Sequence, residues 1–385
     1  ISVLKDAAAS IYGARASGGV ILVTTKSGRK APVSINIDAK QGFQSAWKKP
    51  KPLNAVQRAQ VSNLAADNAG VNRNDAFNAE KYPDGQITRT NWIDEVMQNG
   101  HIQDYNVSLD GGNEHSTLYS SFNYRKGEGI LLNTYNERYN IRINAKHEIK
   151  PWLTIGENLY LNYDNGNGAA TGDGYTGALI SAIYYPSNVP VYDENGAFSG
   201  LPLPYGPGAY GDIINPVAYL KRLDIDNPTY NLVVNPYVEL KLAKGLKFRS
   251  NFSMTQGFNN FKQFTTRVPE IGKPSNSNKL TLNDKRSSDI LAEQILTYSL
   301  DKGDHHVDAL AGFNYQKITS RFNEITGQGF VSEAPEMRYL VNASETLAPL
   351  DGYEASTLLS YLGRVNYNYK QKYMLSLTGR RDGSS

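Results

Sequence analysis

The stretch Tyr135-Asn136-Glu137-Arg138-Tyr139-Asn140-Ile141-Arg142-Ile143-Asn144-Ala145-Lys146-His147 decides the fold. Its even positions are all polar: Asn136, Arg138, Asn140, Arg142, Asn144 and Lys146. Its odd positions carry Tyr135, Tyr139, Ile141, Ile143 and Ala145, with Glu137 and His147 as the exceptions. A period of two sends the two sets to opposite faces of one strand. In water, one face meets a core and the other meets solvent. In a transmembrane barrel, the apolar face meets lipid and the polar face a lumen. The connections between strands separate these cases.

Similar alternation places strands near 33–45, 102–110, 116–126, 134–148, 152–164, 231–243, 246–257, 288–300, 306–317, 357–369 and 373–383. Two strands are imperfect. Glu157 falls in the apolar phase of Leu153, Ile155, Leu159 and Leu161, and Pro236 interrupts 231–243, which predicts a bulge or a strand end. Tight turns at 111–115, 150–151, 244–245, 301–305 and 370–372 alternate with connections at 46–101, 127–133, 165–230, 258–287 and 318–356. In an up-and-down barrel every second connection lies on the same membrane side, short inside and long outside. A soluble sandwich has no reason to keep that parity, so the rhythm favours the barrel over a soluble all-β array.

Composition agrees. The chain has 385 residues, no Cys, and a net charge of only +3 with Lys and Arg scattered, which points away from disulfide frameworks and from nucleic acid. Tyr, at 26 residues against 12 Phe, is over-represented, as suits membrane interfaces or sugar-binding surfaces. No apolar run approaches the roughly 20 residues of a transmembrane helix, but barrel strands hide their hydrophobicity by alternation. The chain opens at Ile1 without Met or signal peptide and stops at Ser385 after a strand-like run, which reads as a fragment cut at both ends.

Residues 1–30 differ from the rest. An Ala-rich, helix-prone run from Val3 to Tyr12 ends at Gly13, and Gly18-Gly19 precedes the β-branched run Val20–Lys26. This segment, ISVLKDAAASIYGARASGGVILVTTK, resembles the end of the plug domain of TonB-dependent outer-membrane transporters. Later segments resemble the SusC/RagA branch: Asn91-Trp92 with Tyr105–Leu109 and Gly111-Gly112, Ser120–Tyr124 with Gly127–Ile130, Arg138–Arg142, Leu359–Tyr369 and Arg380–Ser385. The resemblance implies an all-β membrane fold: an antiparallel up-and-down transmembrane β-barrel of about 22 strands with a plugged lumen. About 11 of those strands would be present here. Residues 1–30 would be the C-terminal end of an α+β plug, and 31–385 the N-terminal half of the barrel, with extracellular loops near 46–101, 165–230, 258–287 and 318–356.

The resemblance also implies a function: TonB-dependent import of a large nutrient across the bacterial outer membrane. The expected partners are the TonB energy-coupling complex, a SusD-like surface lipoprotein, a glycan or peptide substrate and outer-membrane lipid. Glycan import is the leading expectation. An oligopeptide importer, a siderophore or cobalamin receptor, and a non-transporting adhesin or carbohydrate-binding protein are the alternatives.

The residues support no enzyme, metal or cofactor. None of the five His has zinc-ligand spacing in a supportive context, and no nucleophile–base set presents itself. Two features carry functional expectations. Arg15, at the plug's helix-to-strand turn, is expected to ion-pair with the barrel wall. The aromatics of 165–230, among them Tyr175, Tyr184, Tyr185, Tyr192, Tyr205 and Tyr210, either meet substrate or pack the loop on itself or a partner. A helix is expected after Asn54, ending at Gly70, with one face traced by Val56, Ala59, Gln60, Leu64 and Asn68. Excision of residues between Gly166 and Asp226 is expected to leave the barrel assembled.

Overall fold

The computed structural model describes residues 1–5, 10–13, 16, 18–169 and 177–385. A small antiparallel pair, β1 (Ser2–Leu4) and β2 (Val20–Leu22), precedes one large sheet. The long strands of that sheet are β3 (Ser34–Gln44), β4 (Gly100–Gly112), β5 (Ser116–Glu128), β6 (Tyr135–Lys150), β7 (Leu153–Asn167), β9 (Thr229–Ala243), β10 (Leu246–Thr265), β11 (Lys279–Lys302), β12 (His305–Gln328), β14 (Leu350–Tyr369) and β15 (Tyr373–Ser384). Two short strands, β8 (Asp224–Asp226) and β13 (Glu345–Thr346), pair with β10 and β12. Each long strand pairs antiparallel with the next long strand in sequence, so the sheet is an uninterrupted meander from β3 to β15. All the strands expected from alternation are present, and the short turns share one end of the sheet while the long connections share the other.

Gly245 shows why one turn needs glycine. It sits at φ +78°, and a Cβ there would stand 2.1 Å from the Ser299 carbonyl oxygen.

The ladders run further than the hydrophobic alternation does. β10 continues to Thr265, β11 begins at Lys279, β12 continues to Gln328 and β14 begins at Leu350, so much of 258–287 and 318–356 is strand rather than loop. The reason lies in the residues. Asn259, Asn260, Lys262 and Gln263, and Asn283 to Ser288, are polar in both phases. A wall that rises above lipid faces water on both sides, so alternation vanishes while pairing persists. Pro236 likewise ends nothing. β9 runs through it, Pro236 lies opposite Glu157, and the β10 ladder skips from Tyr237–Asn251 to Val234–Met254. The missing N–H costs a local gap in one ladder.

The two faces of the sheet are inverted relative to a soluble protein. Val107, Phe122, Ile141 and Leu161, in register across β4 to β7, are exposed. Ser108, Asn144, Thr154 and Ser360, on the opposite face, are buried. Apolar outside and polar inside is the arrangement of a transmembrane barrel wall.

A row of tyrosines marks the loop-side rim of the apolar face. Tyr105, Tyr124, Tyr139, Tyr163 and Tyr230 are consecutive register partners across β4, β5, β6, β7 and β9. Neighbouring rings lie 6.2, 4.9, 5.9 and 5.0 Å apart. The next positions of that face toward the loops are Gln103, Lys126, Glu137 and Asn165. Tyr124 and Tyr139 both donate to Glu137 Oε1, at 3.0 and 2.9 Å. Rings toward lipid and hydroxyls toward polar groups suit an interfacial belt. At the turn end, Trp152, Tyr367, Tyr369 and Tyr373 supply aromatics. From Tyr139 to Ile149 the strand runs roughly 33 Å, or about 25 Å of membrane depth at ordinary barrel tilt.

The sheet is open: β3 and β15 each have one long neighbour. Unpaired backbone groups in lipid cost several kcal/mol each. The 385-residue chain alone is therefore expected to give no closed barrel in detergent. Heat-modifiable migration with protease resistance of the isolated chain would refute this.

Candidate functional site

The polar face carries the N-terminal segment. The buried Asn144 carboxamide donates to the Lys26 carbonyl at 2.5 Å, and Lys30 pairs with Glu114 at 3.3 Å. Arg29 pairs with Asp110. Arg15, expected in this contact, lies outside the described residues. The contact that reaches the turn at Gly13 comes from the wall instead. Arg380 Nη1 donates to the Ile11 carbonyl at 2.7 Å, while Asp382 and Ser360 hold the same guanidinium at 2.8 and 2.9 Å. Gly13 allows this approach: its φ is +85°, and a Cβ there would stand 2.7 Å from Arg380 Nε and from Asp382 Oδ2. Arg380 and Asp382 belong to the Arg380–Ser385 segment, which carried family likeness but no visible role in the sequence.

Above the contact with the N-terminal segment the same face presents a row of asparagines. Asn106, Asn123, Asn140, Asn162 and Asn231 are register partners on five neighbouring strands. Asn123 donates to Asp104 at 2.8 Å, Asn140 to Asn123 at 3.2 Å, Asn162 to Asn140 at 2.9 Å and Asn231 to Asn162 at 3.1 Å. Carboxamides that donate and accept suit a wall that slides past uncharged polar solutes. One row nearer the loops, Arg138 pairs with Asp164 at 2.7 Å.

The connections at 46–101, 127–133 and 165–230 are not separate loops but one packed body, while Phe330 and Leu340 of the connection after β12 pack apart from it on Phe264 and Leu280. Helix α1 (Ala55–Ala69) starts on a capping box between Asn54 and Gln57 and ends at Gly70, with φ +67°. Its buried side is Ala55 and Ala59; Val56 and Leu64, expected on the packed face, point outward. Helix α2 (Trp92–Val96) inserts Trp92, Ile93 and Val96 against α3 (Ala178–Tyr184) and α5 (Pro216–Lys221). A five-residue helix, α4 (Gly206–Tyr210), lies between those two in the chain. Within this body Trp92 is 1% exposed and its Nε1 donates to the Pro186 carbonyl at 2.9 Å. Ion pairs tie the body to the neighbouring connections: Arg222 holds the buried Glu270, which follows β10, at both oxygens, and Arg338, which follows β12, holds Asp224.

The expected site tyrosines divide. Tyr175 lies outside the described residues. Tyr185, 3% exposed, packs at 4.7 Å from Trp92 and donates to the Ser199 carbonyl at 3.0 Å; burial pushes its hydroxyl pKa up. Tyr210 is buried 5.7 Å from Phe77, and burial pushes its hydroxyl to about 12. Tyr205 is half-buried, 5.1 Å from Tyr82. Tyr192 stacks on Phe198 and accepts from Lys221 at 2.7 Å. Of the described members of the set, Tyr184 and Tyr192 have exposed rings. Tyr185 and Tyr210 thus act as core of the body, which leaves Tyr184, Tyr192 and the rim of Tyr205 facing outward. Among the described residues no group of His, Cys, Asp and Glu side chains has the arrangement to hold a metal ion.

No family model matches the chain. Curated relatives do. It is 28% identical over 393 residues to TonB-dependent receptor P3 of Formosa agariphila, an alignment that covers 100% of this chain and 37% of that protein. It is 26% identical over 424 residues to TonB-dependent receptor SusC of Bacteroides thetaiotaomicron, covering 100% of this chain and 38% of SusC. Its fold matches the RagAB peptide importer in the open-open state with a TM-score of 0.83 at 19% identity, over 100% of this chain and 45% of that one. The chain therefore spans less than half the length of these relatives. An outward apolar wall, a polar inner face holding the N-terminal segment, and these likenesses give the chain the fold of part of a TonB-dependent receptor β-barrel. The curated relatives include SusC, so the chain is similar to the SusC/RagA branch of such receptors.

Proposed function

We propose that the protein of which this chain is part imports a large polar nutrient across the bacterial outer membrane. Residues 1–30 are read as the end of its plug and 31–385 as the first half of its barrel. One observation carries the reading: the plug segment is hydrogen-bonded to the polar face of an inverted wall, through Asn144, Asp110 and Arg380. A polar lumen closed by a plug blocks passive flow, and opening it requires work. TonB, driven from the inner membrane, supplies that work, and a SusD-like lipoprotein delivers the cargo. The asparagine row favours a hydroxyl-rich backbone, so a glycan is the cargo. No step of this reading is enzymatic.

The test is uptake of labelled oligosaccharides by cells carrying the full-length receptor, with and without TonB and the lipoprotein. Uptake that fails without either supports the reading. Uptake indifferent to TonB would sink it, and uptake of oligopeptides alone would replace the cargo.

A further inference from the structure

Between the segment that follows β3 and the α2 region lies a cavity of about 770 Å³. Residues 48–53, Lys-Lys-Pro-Lys-Pro-Leu, form one side, and Thr90, Ile93, Asp94 and Ser187 lie among those opposite. The volume falls within the usual range for a small-molecule site. Its chemistry is one-sided: Lys48, Lys49 and Lys51 face a single carboxylate, Asp94, which Lys49 engages at 2.7 Å. No described residue pairs with Lys48 or Lys51. A second observation is independent of charge. Ser187 is only 8% exposed, and its Oγ has no hydrogen-bond partner among the described residues. Buried hydroxyls are ordinarily paired, so an orphan beside a cavity points to a missing partner. Pro50, Pro52 and Leu53 add apolar surface, and Trp47, adjacent in the chain to Lys48, is fully exposed.

We infer that this cavity binds an acidic oligosaccharide unit, a uronate or sulfated sugar of the imported glycan. The inference rests on the import reading and narrows its cargo. The unpaired ammonium groups of Lys48 and Lys51 engage the carboxylate or sulfate as point charges. The rings of Pro50 and Pro52 and the Leu53 side chain offer apolar surface for the hydrophobic side of a pyranose. The residues around the cavity are coil and helix, so it has no strand edge to which a peptide backbone could add. Uncharged asparagines in the lumen then let the cargo pass after its charge has been read at the loops.

The test measures binding by the full-length receptor in detergent at low and high salt. The probes are trigalacturonate, trimannuronate and a sulfated galactan trisaccharide, against maltotriose and triglutamate. At least one acidic trisaccharide is expected to bind more tightly than maltotriose and triglutamate, and to weaken as salt rises. Lys48→Ala with Lys51→Ala is expected to weaken that binding about tenfold or more, and Lys48→Arg with Lys51→Arg to keep most of it. Both lysines are exposed, so neither double variant disturbs folding. Absence of acidic-sugar binding, equal binding of maltotriose, tighter binding of triglutamate, or an unaffected alanine variant would each overturn the site. TonB-dependent uptake of a neutral glycan in parallel would then leave the import reading standing while this one falls.

Discussion

Ile143→Arg in the full-length receptor is expected to cost roughly 2–4 kcal/mol of barrel stability. Ile143 lies on the apolar face, in register with Ser120 and Leu159, about midway between Tyr139 and Ile149. A guanidinium there faces the middle of the hydrocarbon, where its hydration is hardest to replace. Ile141 is one outward position from the tyrosine rim, so Ile141→Arg is expected to cost less, because its side chain can reach the interface. Arg142 is on the polar face, its guanidinium 5.1 Å from the Tyr160 ring. Arg142→Ile is therefore expected to leave assembly largely intact. Heat-modifiable folded yield from cells measures all three. Equal yields for Ile143→Arg and Arg142→Ile, or a greater loss at Arg142, would reverse the assignment of faces.

The sheet was legible because one rule repeats. Wherever one face meets lipid, the sequence alternates, and the phase of Ile141 or Phe122 can be read locally. The same rule hid the upper wall, where Asn259, Asn260, Lys262 and Gln263, and Asn283 to Ser288, are polar in both phases yet remain paired. Register is a relation between strands. Tyr105, Tyr124, Tyr139, Tyr163 and Tyr230 were visible singly, but nothing in the sequence says that they stand side by side. Helix α1 was found from its Asn54 cap and Gly70 stop, both local signals, while its packed face was misjudged. Its apolar residues Val56 and Leu64 point outward, and the small residues Ala55 and Ala59 fit the crowded contact. The loop body resisted reading for a further reason. Trp92 and Pro186 are partners far apart in the chain, and short helices such as α3 and α5 give too little periodicity to show a face. Arg380 fell between these cases: its segment stood out, but its partner is a backbone carbonyl at the other end of the chain.

That packing changes what the long connection at 168–228 can tolerate. Trp92→Ala is expected to cost about 3–5 kcal/mol of loop-body stability, the usual range for emptying a buried tryptophan site. The ring is 1% exposed, rests against Tyr185 at 4.7 Å, and its N–H is satisfied by Pro186. Removing it leaves a cavity where α2 meets α3 and α5, and leaves the Pro186 carbonyl without its donor. The wall below is held by its own ladders, so the barrel is expected to assemble while the body opens. Surface proteolysis on intact cells reads that opening directly. Cleavage within 185–223 is expected to rise by roughly two to four powers of ten when opening is fast relative to cleavage. Trp92→Phe, which keeps a ring and loses only the N–H, is expected to fall between the alanine variant and the parent. Excision between Gly166 and Asp226 is then no neutral trimming. It would uncover Trp92, Ile93 and Val96 together, and is expected to yield a receptor that assembles poorly or aggregates. An alanine variant with the parent's cleavage pattern, or a well-assembled excision variant, would show that the connections are independent loops after all.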